Sequence, residues 1–102
     1  MAGRRALTLS DKEQLILQLL SSAEEMYGLE LVGASRKRLK RGTVYVTLGR
    51  MEEKGYVSSR LADEPTPGGG LPLRLYQPTS LGLRVLALTQ ELAGELVPEF
   101  GS

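Results

Sequence analysis

A chain of 102 residues with 41% hydrophobic residues, no Trp and one Phe has room for one domain, with a core built mainly from Leu, Val and Ile. It has neither Cys nor His, which excludes disulfides, the usual zinc sites, Cys or His nucleophiles and a Ser-His-Asp arrangement. No carboxylate pair is spaced for acid–base work, so we expect no enzyme, no cofactor and no metal; the missing thiols suit a cytoplasmic protein. The net charge of +1 hides an asymmetry: between positions 36 and 60 stand Arg36, Lys37, Arg38, Lys40, Arg41, Arg50, Lys54 and Arg60 against Glu52 and Glu53 alone. A local surplus of this kind marks a polyanion-binding face rather than a generally basic protein.

Residues 1–8 read as a flexible arm. Arg4 and Arg5 are followed by no apolar run long enough for a signal peptide, and no stretch of the chain approaches the roughly 20 apolar residues of a membrane span. The arm either reaches a minor groove or is a disordered tail.

Ser10 followed by Glu13 has capping-box spacing, and Asp11 and Glu13 suit the positive end of a helix dipole. Leu15, Ile16, Leu19 and Leu20 then form an apolar stripe over about three turns, closed by Ser21 and Ser22. Ala23 to Ser35 holds the next helix. Tyr27-Gly28 reads as a turn-like element, and Leu29, Leu31 and Val32 are candidates for packing on the first helix. Gly33-Ala34-Ser35 is slim enough for the following helix to cross closely, as a helix-turn-helix requires.

The basic run Arg36-Lys37-Arg38-Leu39-Lys40-Arg41 leads into a third helix that starts near Gly42 or Thr43. At 100° per residue, Val44, Leu48 and Met51 face a core, while Thr43, Val46, Gly49, Arg50 and Glu53 face outward. Gly49 costs a helix interior roughly 1 kcal/mol against Ala, and on an outward face it allows close backbone approach. Cations before a helix, then a strand, is the order that a DNA-facing edge requires: charge for phosphates, a helix for the major groove, a wing beyond it. Arg50 has three open roles: a guanine edge, a phosphate, or Glu53 at i+3. Val46 is a candidate for a thymine methyl group. The basic run by itself also fits a solvated helix end.

Gly55 is placed to end the helix in a left-handed cap. Tyr56 to Leu61 and Leu73 to Gln77 read as two strands, and the Pro- and Gly-rich segment 62–70 between them as a loop. Together they form a wing with Arg60 and Arg74 at its base. Pro78-Thr79-Ser80 stops the strand and caps a last helix on which Leu81, Val85, Leu88 and Leu92 recur at intervals of four and three. We expect these four to form a dimerisation stripe, with capping of the monomer core as the alternative.

With these pieces in place, the chain resembles the PadR family of bacterial transcriptional regulators. The resemblance rests on Leu17-Gln18-Leu19-Leu20 with Met26-Tyr27-Gly28-Leu29-Glu30-Leu31, and on Gly42-Thr43-Val44-Tyr45 with Leu48, Arg50-Met51-Glu52 and Lys54-Gly55-Tyr56-Val57. It extends through Tyr76-Gln77-Pro78-Thr79-Ser80-Leu81-Gly82, so it runs from about position 9 to 92. It implies a winged helix, a C-terminal helix shared with a second protomer, and repression by operator occupancy, relieved in some members by a small molecule. It also implies that Tyr27 and Tyr45 meet the DNA backbone and that Thr43 opens the recognition helix. The chain departs from the family pattern at Val46, where proline is common, in its single short C-terminal helix, and in lacking Trp.

The expected architecture is mainly α with a small β-hairpin wing: a winged helix-turn-helix over 9–78, a dimerisation helix over 79–96, and a tail over 97–102 that is foreign to that helix. The expected function is that of a homodimeric repressor on a pseudo-palindromic double-stranded operator, with Tyr27, Arg36, Lys37, Arg38, Lys40, Arg41, Thr43, Tyr45, Val46, Thr47, Gly49, Arg50, Arg60 and Arg74 at the DNA. A dimer groove for a small apolar effector is an added expectation. The alternative is a winged protein-interaction module whose basic face binds an acidic partner.

Overall fold

The computed structural model describes residues 9–63 and 73–96, with side chains through position 92. The arm at 1–8, most of the wing loop and the tail at 97–102 lie outside the described residues.

Helix α1 spans Asp11–Ala23 and begins with the expected capping box. The Glu13 N–H donates to Ser10 Oγ at 3.2 Å, and the Ser10 N–H donates to Glu13 Oε1 at 3.0 Å, a cap worth about 1 kcal/mol. The buried stripe is Glu13, Ile16, Leu17 and Leu20. Of the expected stripe, Ile16 and Leu20 are buried, while Leu15 and Leu19 are only partly buried against the core.

The second helix is shorter than the sequence implies. Met26–Tyr27 forms strand β1, and helix α2 occupies only Gly28–Ala34. Leu31 is fully buried, but Leu29 is 48% exposed and does not join the core. Gly33 has open space where a Cβ would lie, so at that position no close approach requires glycine. The close approach occurs instead at Gly28, whose Cβ would sit 2.6 Å from the Tyr45 ring.

Helix α3 spans Arg41–Lys54 and buries Val44, Leu48 and Met51, as its periodicity predicts. Gly55, at φ 83°, ends it. The Tyr56 N–H donates to the Met51 carbonyl at 2.8 Å and the Gly55 N–H to the Glu52 carbonyl at 3.0 Å, the pairing of a left-handed helix stop that glycine accepts without a Cβ clash.

Strands β2 (Val57–Leu61) and β3 (Arg74–Pro78) pair antiparallel, and β1 adds to the other side of β3, giving the order β1-β3-β2. Pro78 thus closes the strand from inside, opposite Val57. The cap of the last helix is Thr79, whose Oγ1 accepts from the Gly82 N–H at 3.0 Å and donates to the Gly55 carbonyl at 2.5 Å.

Helix α4 spans Ser80–Leu96. A Cβ at Gly82 would collide with the Tyr56 carbonyl, so glycine is what lets the first turn of α4 rest on the end of α3. That docking turns Gly82, Val85 and Leu86 into the core. Val85, expected on the dimerisation stripe, is only 2% exposed and belongs to the protomer's own core; Leu81, Leu88 and Leu92 remain exposed. Among the described residues no helix is long and apolar enough to cross a membrane.

Candidate nucleic-acid interface

The turn between α2 and α3 presents its cations on a backbone anchored from beneath. Ser35 is buried and its Oγ donates to the Val32 carbonyl at 2.8 Å while accepting from the Leu39 N–H at 3.0 Å. Leu39, the one apolar residue of the basic run, is fully buried. Between these anchors Arg36 and Lys37 take left-handed conformations, φ 56° and 72°, which cost a residue with a Cβ roughly 1–3 kcal/mol each. Arg36, Lys37, Arg38, Lys40 and Arg41 are all exposed. Among the described residues none of them, and not Arg50, forms an ion pair.

Lys40 is the N-cap of α3 and Arg41 its first residue, with no acidic side chain in the first turn. The helix therefore presents its positive dipole end together with two cations. Along its outer face Val46, Gly49 and Arg50 are exposed and Thr43 and Thr47 half-buried. Nothing lies within 4 Å of the Cβ position at Gly49. Arg50 does not pair with Glu53, which removes one of the three roles left open for it.

Tyr45 stands at the edge of this face, 44% exposed, with its ring seated where a side chain at Gly28 would be. Tyr27 is half-buried in β1, and its N–H donates to Glu30 Oε1 at 2.8 Å. The two tyrosines are thereby brought to the same junction of α2 and α3. Tyr76, paired with Met26 across the sheet, is buried: burial first, then the negative charge of Glu52, push its phenol above the ordinary value, against the pull of Arg74.

The wing cations are placed differently. Arg60 pairs across the sheet with Leu75, and Arg74 with Leu61. Neighbouring positions on β3 point to opposite faces, so Arg60 and Arg74 lie on opposite faces of the wing. Arg60 is engaged: its Nη2 lies 2.8 Å from Glu25 Oε1 and its Nη1 3.9 Å from Asp63 Oδ2. Arg74 donates to Ser59 Oγ at 3.1 Å, and that hydroxyl donates to Glu52 Oε2 at 2.7 Å.

Lys54, counted in the basic surplus, is likewise taken. Its Nζ lies 2.8 Å from Glu13 Oε2 and 5.8 Å from the centre of the Tyr56 ring. Burial alone would raise the Glu13 pKa, but hydrogen bonds from Lys54 and from the Ser10 N–H, with the Lys54 charge, hold it below the ordinary carboxylate value.

Beside the outer face of α3 runs a cleft of about 510 Å3 whose other wall is the first turn of α1. Lys12 lines it opposite Thr43, Val46, Thr47 and Arg50. Sequence reasoning missed Lys12 because it stands between Asp11 and Glu13; the capping box, which fixes where the turn begins, was the available signal.

A helix-turn-helix followed by an antiparallel wing matches known proteins in both sequence and shape. The model of the transcriptional regulator PadR-like family matches residues 16–88. Among solved structures, a PadR family transcription regulator from hypervirulent Clostridium difficile R20291 is 30% identical, with 82% of this chain and 88% of that one covered at a TM-score of 0.71. A PadR family transcriptional regulator from Eggerthella lenta DSM 2243 is 29% identical, with 82% and 72% covered and a TM-score of 0.69. The reduced form of the regulator YodB from B. subtilis shares the fold, at 19% identity, 100% and 95% coverage and a TM-score of 0.73. No protein in the curated set matches at a significant level. The family match over most of the chain and the shared architecture lead to one conclusion: this chain belongs to the PadR-like family and is a winged-helix transcriptional regulator.

Proposed function

We propose that the protein is a homodimeric repressor that acts in the cytoplasm by occupying a pseudo-palindromic operator. Helix α3 of each protomer enters the major groove, with half-sites about one helical turn apart. The observation that carries this reading is the set of exposed cations from Arg36 to Arg41, without ion-pair partners among the described residues, leading directly into the exposed face of α3. Those cations, with the Tyr27 and Tyr45 hydroxyls, hold phosphates and set the register. Thr43, Val46, Thr47 and Arg50 face base edges, and the bare backbone at Gly49 permits close approach. Leu81, Leu88 and Leu92 supply the apolar contact with the second protomer, and burying such a stripe adds stability to a small core. Repression follows from excluding other proteins from the promoter.

The test is binding to the DNA upstream of the protein's own gene and to an unrelated duplex across a salt series, with sedimentation to count protomers. Selective, salt-sensitive binding of a dimer is expected. Equal weak binding to both duplexes, or binding by a monomer, would sink the operator reading. Indifference to DNA even at low salt would favour an acidic protein partner for the basic face.

A further inference from the structure

Asp11-Lys12-Glu13 carries one more negative than positive charge, so in sequence it looks like the wrong place for a polyanion. In space the three charges part. Glu13 turns inward, its side chain 6% exposed, and is neutralised by Lys54. Asp11 faces the other flank of α1, beside Gln14, Gln18 and Arg38. Lys12 and the already paired Glu13 both line the cleft shared with α3, so Lys12 supplies the free charge on that wall. The far wall of that cleft is Thr43, Val46, Thr47 and Arg50, one strip of a helix surface at spacings of three and four. Both rims are therefore cationic, hydroxyl and methyl groups lie between them, and the one acid that lines the cleft is already paired.

We propose that Lys12 is a DNA-binding residue: its ammonium takes a backbone phosphate of the strand that runs alongside α3, making the first turn of α1 a second rail of the interface. A helix seated in the major groove is flanked by phosphates, and a cation beside it meets the backbone rather than the bases. Lysine suits that role, as a mobile point charge with three donors and no planar fork for base recognition. The inference rests on the DNA-binding reading above and adds to it a residue from outside the helix-turn-helix.

The experiment compares Lys12→Gln, Asp11→Asn and Arg41→Gln with the unaltered protein, using fluorescence anisotropy on the promoter duplex and an unrelated duplex over a salt series. Circular dichroism controls for folding. Lys12→Gln should weaken both duplexes by the same factor, about tenfold, and lower the slope of log affinity against log salt by about 0.9, the value of one phosphate contact. Asp11→Asn should keep the slope. Four results overturn the inference. An unchanged slope in Lys12→Gln beside a lowered one in Arg41→Gln would remove Lys12 while leaving the DNA reading intact. A slope change of equal size in Asp11→Asn would mean that the overall charge of α1 acts, not a contact. Stabilisation of the DNA-free protein by inorganic phosphate, lost in Lys12→Gln, would assign the cleft to a free anion. Absence of DNA binding in the unaltered protein would take both readings down together.

Discussion

The turn before α3 and the stem of the wing are both basic, yet they differ in what their charge is free to do. In the turn, Arg36, Lys37, Lys40 and Arg41 have no described carboxylate as partner. Two of them are held in left-handed backbone, between a buried Ser35 and a buried Leu39. In the wing, Arg60 is held by Glu25, whose hydrogen bond and charge raise its pKa further above the ordinary value. Arg74 leans on Ser59, which is itself bonded to Glu52. A surplus of cations counted along the chain is therefore not the surplus offered to a partner. What decides the difference is acids distant in sequence: Glu25 for Arg60, Glu13 for Lys54.

The strongest test of that contrast removes charge where it is free. Lys40→Gln with Arg41→Gln should weaken DNA binding by about 3 kcal/mol, roughly a hundredfold, since each charged hydrogen bond is worth about 1.5–3 kcal/mol. The salt slope should fall by about 1.8. Loss of affinity with an unchanged slope would mean that the substitutions disturb the start of α3 rather than remove phosphate contacts. Arg50→Ala comes next. If Arg50 reads a base edge, discrimination at one base pair falls by about 1–3 kcal/mol while other positions keep theirs; binding to a panel of single-base operator variants separates this from a uniform loss.

Local features of the fold were legible because their causes are local. The Ser10–Glu13 box, the Gly55 stop and the Val44, Leu48, Met51 stripe each depend on residues a few positions apart, and each stands where its spacing places it. Strand β1 was not legible. Two residues carry no periodicity, and Met26–Tyr27 becomes a strand only because β3 has a second edge to pair. Nor could the stripe on α4 say which flank packs inward. That is set by Gly82 dropping the helix onto the Tyr56 carbonyl, which takes Val85 into the core and leaves Leu81, Leu88 and Leu92 outside. For the candidate interface, the exposed cations and the outer face of α3 were readable from periodicity. The engaged states of Arg60 and Lys54, and the isolation of Lys12 from its acidic neighbours, arise from contacts between elements and have no local signature.

Lys54 belongs to the basic segment by sequence and to the scaffold by geometry, so its replacement should separate stability from binding. Lys54→Met leaves a mostly buried Glu13 carboxylate with only its Ser10 bonds, at a cost of about 1–2 kcal/mol. The DNA salt slope should be unchanged. The pair also has a pH signature. Because the folded state lowers the Glu13 pKa from 4.5, its contribution is present above that value and is lost as the pH falls through the folded value. Melting temperature should therefore sag in acid for the unaltered protein and sag less in Glu13→Gln, which keeps the reach of the capping box without the charge. An equal sag in both would assign the acid sensitivity to other carboxylates.

The smallest effect is expected where the charge is already taken. Arg60→Gln should leave the DNA salt slope at the unaltered value, because Glu25 and Asp63 hold the guanidinium on the wing face opposite Arg74. The converse variant makes this null result informative. Glu25→Gln releases Arg60 without changing the cation itself, and a freed guanidinium at the wing stem is then available to a phosphate, steepening the slope by up to about 0.9. If Arg60→Gln instead flattens the slope as much as Lys40→Gln does, a phosphate outcompetes Glu25 and the wing is as free as the turn. If Glu25→Gln changes nothing while Arg60→Gln also changes nothing, the stem lies away from the duplex, and the ion pair serves only to tie β2 to the end of α1.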